Sequence, residues 1–130
     1  MCRTSLQRIM LIEDEPDIQL IARLALEAIG GFTLAVCDSA SHALEEAPSW
    51  SPDLIMLDVM MPGIDGVTAF TKMREIPQLA KVPIIFMTAK ARSSEVIKYK
   101  EMGALDVVAK PFDPMILAEK VKAIWDNRKV

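Results

Sequence analysis

The sequence predicts an α/β domain built on a parallel sheet, and two observations support this prediction. Short apolar runs, typical of strands buried on both faces, alternate five times with stretches of helical periodicity. The clearest run, residues 54–57 (LIML), is bracketed by Pro52 and Pro62 and is followed directly by Asp58. A parallel sheet places such strand ends along one edge, where open α/β folds bind their ligands.

Five segments are predicted as strands because they are short, apolar and bounded by turn residues. They are residues 8–12 (RIMLI), 32–37 (FTLAVC), 54–58 (LIMLD), 82–88 (VPIIFMT) and 106–109 (DVVA). Helical segments separate consecutive strands, so the crossovers are long enough for the strands to run parallel.

The first helix is predicted to begin at Pro16, with Asp14 or Glu15 as its cap, and to end before Gly30-Gly31. Proline is favoured at the first position of a helix, and glycine is favoured just past the last. The 3.6-residue period predicts one inward face, made of Ile18, Ile21, Ala22, Ala25 and Ile29.

The second helix is predicted over residues 39–47, followed by a loop over residues 48–52 that carries Trp50. His42 lies in this helix and is expected to be solvated, without acidic neighbours at ligand spacing. The third helix is predicted over residues 65–73.

The last two helices frame the fifth strand. The fourth is predicted to begin at a Ser93 or Ser94 cap and to end at Gly103. The fifth is predicted to open at Asp113-Pro114 and to run to about residue 127. Its inward positions are predicted to be Leu117, Val121 and Ile124.

The bulk composition fits one domain with a core of its own. The chain has 130 residues, of which 52% are hydrophobic, and no apolar run approaches the length of a membrane span. Its net charge of -3 argues against a nucleic-acid-binding surface. The N-terminus shows no secretory signal, and Cys2 and Cys37 are expected to be free thiols. A cytoplasmic location is therefore expected.

Polar residues end four of the five predicted strands, namely Glu13-Asp14, Asp58, Thr88 and Lys110. In a parallel sheet these ends converge, and three clustered carboxylates repel one another unless a cation neutralises them. Oxygen ligands of this kind suit Mg²⁺. A carboxylate nucleophile, a metal, an ammonium and a hydroxyl are the groups that phosphoryl transfer onto a carboxylate requires.

Four segments of the chain resemble the receiver domain of the two-component response-regulator family. They are LIEDEPD, PDLIMLDVMMPGIDG, PIIFMTAKA and AKPFDP, in the order and spacing of the family. The resemblance covers about residues 7–127 of a chain interpreted as a single domain over residues 1–130. It implies a flavodoxin-like, doubly wound sheet of strand order 2-1-3-4-5 with five helices, and a cis peptide bond between Lys110 and Pro111.

The same resemblance implies the roles of the site residues. Asp58 would accept a phosphoryl group from a phosphohistidine on a histidine kinase or a histidine phosphotransfer protein. Thr88 and Lys110 would contact the phosphoryl oxygens.

The resemblance also implies a set of ligands for Mg²⁺. Asp14, Asp58 and the backbone carbonyl of Met60 would hold the ion, and Glu13 would act through a coordinated water.

Four further positions are expected to modulate the switch. Met60 and Lys90 flank the site, where residues of the family influence the lifetime of the phosphoryl group, and the small Ala89 would leave Asp58 open to a donor. Val107 stands where the family usually has a tyrosine or phenylalanine that rotates inward on activation. Valine has no ring and a stiff χ1, which calls the usual aromatic readout into question.

The resulting prediction is a signalling switch that catalyses only its own phosphotransfer and dephosphorylation, rather than a turnover enzyme. A downstream protein is expected to bind the face of the fourth helix, fifth strand and fifth helix, where a phosphorylation-dependent dimer is also expected. The chain is either a free-standing receiver or a piece of a larger regulator or hybrid kinase.

The sequence is also compatible with two alternative functions. A pseudo-receiver, an interaction module that does not use phosphorylation, is favoured by Val107 and disfavoured by the intact acid cluster. An Mg²⁺-dependent phosphatase ranks lower, because Met60 stands where such enzymes place a second aspartate.

Overall fold

The computed structural model describes residues 5–128, and a five-stranded parallel sheet lies at its centre. The strands are β1 (Arg8–Ile12), β2 (Thr33–Cys37), β3 (Leu54–Asp58), β4 (Ile84–Thr88) and β5 (Asp106–Ala109). Their spatial order is β2-β1-β3-β4-β5, and every adjacent pair is parallel. This confirms the predicted fold class and strand order.

Helices cover both faces of the sheet. They are α1 (Pro16–Arg23), α2 (Ala40–Trp50), α3 (Gly66–Arg74), α4 (Ser93–Met102) and α5 (Leu117–Asp126). Helices α2, α3 and α4 contribute to the apolar cluster on one face, and α1 and α5 contribute to the cluster on the other. The central strand β3 supplies both clusters in alternation, which explains why its sequence is apolar at consecutive positions.

The first helix does not keep its α-helical period to the end. After Arg23 it continues as a π-helical segment, Leu24–Ile29, in which the Gly30 amide donates to the Ala25 carbonyl at 3.0 Å. The extra residue in this turn rotates the following positions, so that Leu26 is buried and Ile29 is 43% exposed. The predicted inward position of Ile29 is therefore wrong.

Helix α2 is longer than predicted and includes most of the segment expected to be a loop. It runs through Pro48 to Trp50 and ends at Ser51, which has a left-handed φ of 58°. The guanidinium of Arg8 lies 4.0 Å from the centre of the Trp50 ring and donates to the Trp50 carbonyl. These contacts, together with burial of part of the indole, offset the hydrogen bond that Pro48 cannot make.

The start of α5 is later than predicted. Residues 113–116 form a turn in which the Met115 amide donates to the Asp113 carboxylate at 2.9 Å, and the helix begins at Leu117. The predicted serine cap of α4 is also wrong, because the residue before the helix is Arg92 and its side chain makes no capping bond.

The prediction that His42 lacks acidic neighbours is wrong as well. Its two ring nitrogens lie 3.8 Å from Asp38 Oδ1 and 3.6 Å from Glu46 Oε1, and all three side chains are exposed. Because the histidine lies one helical turn from each acid, both contacts follow from the periodicity of α2 and the residues just before it.

Cys37 lies at the end of β2, buried and free of any disulfide. Burial, with smaller effects from the charges of Glu46 and Asp38, raises the pKa of its thiol to about 11. Cys2 lies outside the described residues. Within residues 5–128 no helix is both long enough and apolar enough to span a bilayer.

The buried thiol predicts slow alkylation. In a Cys2→Ser variant, iodoacetamide at pH 8 should modify Cys37 at least about a hundredfold more slowly in the folded protein than in urea, since less thiolate is present. Because folding raises this pKa, the free energy of unfolding should also fall as the pH rises from 9 towards 11. The mass of the intact protein against time measures the alkylation, and equal rates with and without urea would show that Cys37 is accessible.

Candidate functional site

The polar strand ends lie together at the carboxyl edge of the sheet. Strand β1 pairs with β3 through Ile12 and Leu57, so the residues that follow them, Glu13 and Asp58, are neighbours. On its other side Asp58 pairs with Met87, the residue before Thr88. The strand register therefore brings residues from distant parts of the sequence to one edge.

Three carboxylates form a tight cluster at this edge. One oxygen from each of Glu13, Asp14 and Asp58 lies within 4.8 Å of the others. Glu13 and Asp58 are almost fully buried, with 0% and 1% exposed, while Asp14 is partly exposed. Burial strengthens the repulsion between such charges because little water remains to screen them.

Lys110 bridges the two buried acids. Its ammonium donates to Glu13 Oε1 at 2.8 Å and to Asp58 Oδ2 at 3.1 Å. Burial acts to lower the pKa of Lys110, but the two hydrogen bonds and the two negative charges outweigh it and raise the pKa above its usual value. The peptide bond to Pro111 is cis, as the resemblance implied. One ammonium against three carboxylates leaves an excess of negative charge.

The pKa of Glu13 reflects mainly the burial of its carboxylate. Burial raises its pKa to about 7 against the opposing hydrogen bonds from Lys110 and from the Glu15 amide, and the charge of Asp58 adds to the rise. The Glu13 backbone is held as well, because the Gln19 side-chain amide donates to its carbonyl oxygen at 2.6 Å. No sequence pattern marks Gln19 for this role, because its partner is a backbone atom.

The loop after β3 holds the Asp58 carboxylate from the other side. The Met60 amide donates to Asp58 Oδ1 at 3.2 Å, while the Met60 side chain is 76% exposed. Gly66, the first residue of α3, donates to the Val59 carbonyl at 2.9 Å. A Cβ atom at Gly66 would collide with the Asp58 carbonyl oxygen, so this position needs glycine for the close approach of α3 to the loop.

Thr88 ends β4 at the same edge. It is buried, and its hydroxyl oxygen accepts a hydrogen bond from the Lys90 amide at 3.1 Å. Ala89 and Lys90 follow as exposed residues. Val107 is the one predicted position that lies away from this edge, because it is buried within β5 and pairs with Phe86.

The donor set of the cluster suits a divalent cation. Its ligand atoms would be carboxylate oxygens, the donors that hard cations prefer. The uncompensated negative charge around Lys110 also favours an added cation. The three carboxylates could therefore hold a metal ion.

A family model for the response regulator receiver domain matches residues 9–122 of the chain. The chain belongs to this family. The match includes the segments that carry Glu13, Asp14, Asp58, Thr88 and Lys110.

Curated relatives support this assignment. The receiver is 36% identical over 120 residues to the DNA-binding response regulator MtrA of Mycolicibacterium smegmatis, covering 92% of this chain and 51% of that protein. It is also 36% identical over 126 residues to the phosphate regulon transcriptional regulatory protein PhoB of Rhizobium meliloti, covering 95% and 54%. The chain thus spans about half the length of these relatives.

Solved structures share the fold. A putative response regulator from Chloroflexus aurantiacus superimposes with a TM-score of 0.81 at 31% identity, covering 93% of this chain and 98% of that one. The chemotaxis protein CheY4 of Vibrio cholerae superimposes with a TM-score of 0.83 over 92% and 99% of the two chains, at 22% identity. The second comparison supports the receiver fold alone.

The charge cluster predicts that removing one acid stabilises the metal-free receiver. Asp58→Asn should raise the free energy of unfolding in EDTA by on the order of 1 kcal/mol, because repulsion falls while Glu13 still accepts from Lys110. Urea denaturation measures the change. Asp38→Asn is the matched control, since Asp38 is an exposed acid just after β2, and it should have little effect. A lower stability of Asp58→Asn than of wild type would contradict the argument from repulsion.

Proposed function

We propose that this receiver is a phosphorylatable signalling switch that accepts a phosphoryl group on Asp58 from a phosphohistidine of a histidine kinase or a histidine phosphotransfer protein. The observation that carries the proposal is the buried Asp58 carboxylate, flanked by two further acids and bonded to the Lys110 ammonium at 3.1 Å. Asp58 would act as the nucleophile, and the neighbouring groups would neutralise charge and hold the Asp58 carboxylate in one orientation.

The transfer step needs little from the protein beyond positioning. An oxygen of Asp58 forms a bond to phosphorus as the bond from phosphorus to the donor's imidazole nitrogen breaks. The electron pair of the broken bond returns to the imidazole, which takes up a proton. The Met60 amide, which donates to Asp58 Oδ1 at 3.2 Å, restricts rotation of the carboxylate and leaves Oδ2 on the side of Lys110.

Lys110 and Thr88 would bind the incoming phosphoryl oxygens. Lys110 already donates to Asp58 Oδ2, and conversion of that carboxylate to an acyl phosphate removes its charge, so the ammonium would shift its bond to the phosphoryl group. The Thr88 hydroxyl accepts from the Lys90 amide, which leaves its own proton free to donate. Met60, Ala89 and Lys90 would modulate access to the site and the lifetime of the phosphoryl group.

Mg²⁺ fits the donor set as the cofactor. When bound, it would neutralise the charge that develops on the phosphoryl oxygens. Asp14, Asp58 and the Met60 carbonyl would hold it directly, and Glu13 would act through water. The pairing of Glu13 with Lys110 at 2.8 Å supports this outer role, because it leaves Asp14 as the more accessible acid.

The remaining expectations belong to the same proposal. The receiver would be cytoplasmic, would form one domain over residues 1–130, and would limit its catalysis to its own phosphotransfer and autodephosphorylation. A downstream protein, or a second copy after phosphorylation, would bind the face formed by α4, β5 and α5. The domain itself would contact neither nucleic acid nor membrane.

A phosphodonor experiment tests the proposal. Incubation with acetyl phosphate should add one phosphoryl group to the wild-type chain only when Mg²⁺ is present, and none to Asp58→Asn, because the acceptor carboxylate is missing. The mass of the intact protein measures the adduct. Asp38→Asn, which changes an exposed acid, should be phosphorylated like the wild type.

Two other outcomes would overturn it. An adduct that persists in Asp58→Asn would place the acceptor elsewhere. If no adduct forms and beryllofluoride also fails to bind, the pseudo-receiver interpretation would replace the proposal. Val107, which has no aromatic ring, favours that interpretation.

Lys110→Ala separates metal binding from transfer. The variant should bind Mg²⁺ at least as well as wild type, since a competing cation is gone. Phosphorylation or the conformational response should weaken by about tenfold or more, because the phosphoryl oxygens lose a donor. Mg²⁺ titration and the rate of adduct formation measure the two effects. Lys81→Ala, at an exposed lysine before β4, is the control, and unchanged transfer and response in Lys110→Ala would remove Lys110 from the site.

A further inference from the structure

Helix α4 packs on the sheet through one buried side chain and two partly buried ones, Val96 and Met102. Of its ten residues, all of which lie within the described range, only Tyr99 is buried, with 6% exposed. By the same measure α2 buries three residues, and α3 and α5 bury four each. A helix with so few buried residues shifts at lower cost than α3 or α5, and Tyr99 is its most deeply buried contact with the core.

The ring of Tyr99 packs on the strand that ends at the site. Its centre lies 4.9 Å from that of Phe86, a fully buried residue of β4, and the two rings are inclined by 52°. Phe86 and Thr88 are two residues apart on β4 and therefore point to the same face of the sheet. A displacement of the end of β4 would therefore reach α4 through this contact.

The Tyr99 hydroxyl lies near acidic side chains at the start of α3 and in the first turn of α4. Helical side chains lean towards the N-terminus of their helix, and α4 starts just after the loop that follows Thr88. The pKa of Tyr99 is raised by burial and further by the charges of Glu95 and Asp65. Asp65 caps α3 at the end of the loop that follows Asp58, so Tyr99 packs on β4 and also lies near the end of that loop.

Val107 cannot take this role. It pairs with Phe86 across β4 and β5 and belongs to the same apolar cluster as Tyr99. Its branched side chain has one preferred χ1 rotamer and no ring to reorient. Among the described residues of this cluster, Tyr99 is therefore the aromatic side chain that joins α4 to β4.

We propose that Tyr99 is the positioning residue that transmits occupancy of the Asp58 site to helix α4. The inference rests on the proposed function, since it needs a phosphoryl group or its analogue at Asp58. Movement of Thr88 and of residues 89–92 towards the bound group would change the contact between Tyr99 and Phe86, and α4 would shift with the ring. The exposed residues of α4, among them Ile97 with 58% exposed, would then present a different surface.

A single-site probe tests this directly, because the chain contains one tyrosine. The full chain labelled with 3-fluorotyrosine should give one protein fluorine resonance, and Mg²⁺ with beryllofluoride should move it. The bound beryllofluoride gives its own fluorine signal, which reports occupancy of the site independently. Bound beryllofluoride with an unmoved tyrosine resonance would overturn the role of Tyr99, whereas no bound beryllofluoride would count against the proposed function itself.

Two substitutions separate transmission from simple packing. Tyr99→Leu should leave beryllofluoride affinity within about twofold, while the change in amide hydrogen exchange over residues 93–102 on binding falls by about fivefold or more. Tyr99→Phe, which keeps the ring, should retain most of that change. Met73→Ala, at a fully buried residue of α3 in the same cluster, should destabilise the receiver without removing the α4 response. If Met73→Ala abolishes the response as well, or if Tyr99→Leu retains it, Tyr99 contributes packing alone.

Discussion

The shared hydrogen bonds of the Lys110 ammonium are the interaction on which the site depends. Two buried carboxylates, Glu13 and Asp58, use the same cation, and removing that cation would leave both buried charges uncompensated. Because the Lys110 ammonium donates to both acids, a change of charge on Asp58 would also change the hydrogen bond between Lys110 and Glu13. The arrangement therefore holds the site together, and under the proposed function it would also respond to phosphorylation of Asp58.

The sheet explains why these groups lie where they do. Strands β3 and β4 are buried along their whole length, so charged side chains can be accommodated only where the strands end. The parallel order then brings four ends to one edge. The strand pattern that forms the core also determines where the polar site lies. For this reason the acid cluster could be predicted from the residues that end the strands.

Sequence predicted the strands well because burial on both faces leaves a continuous apolar signal, and each predicted strand lies within two residues of the observed one. The sequence-based prediction failed where a local irregularity of a helix, or a contact with a residue distant in the chain, determines the structure. The π-helical segment that exposes Ile29 breaks the 3.6-residue period. The contact of Arg8 that extends α2 to Trp50, and the pairing of Lys110 with Glu13, join residues far apart in the chain.

Tyr99 was missed for the same reason. Its role depends on Phe86, and nothing in the sequence of α4 marks one aromatic residue as the attachment of the helix. The contrast with Val107 is informative, because the acid cluster and Lys110 do not depend on which element supplies an aromatic ring to the neighbouring core. Phosphoryl chemistry requires particular residues at the strand ends. Transmission of site occupancy requires only that some movable element be packed against β4. In this receiver the acid cluster and Lys110 are present although β5 carries Val107, and the aromatic ring that packs on Phe86 comes instead from helix α4.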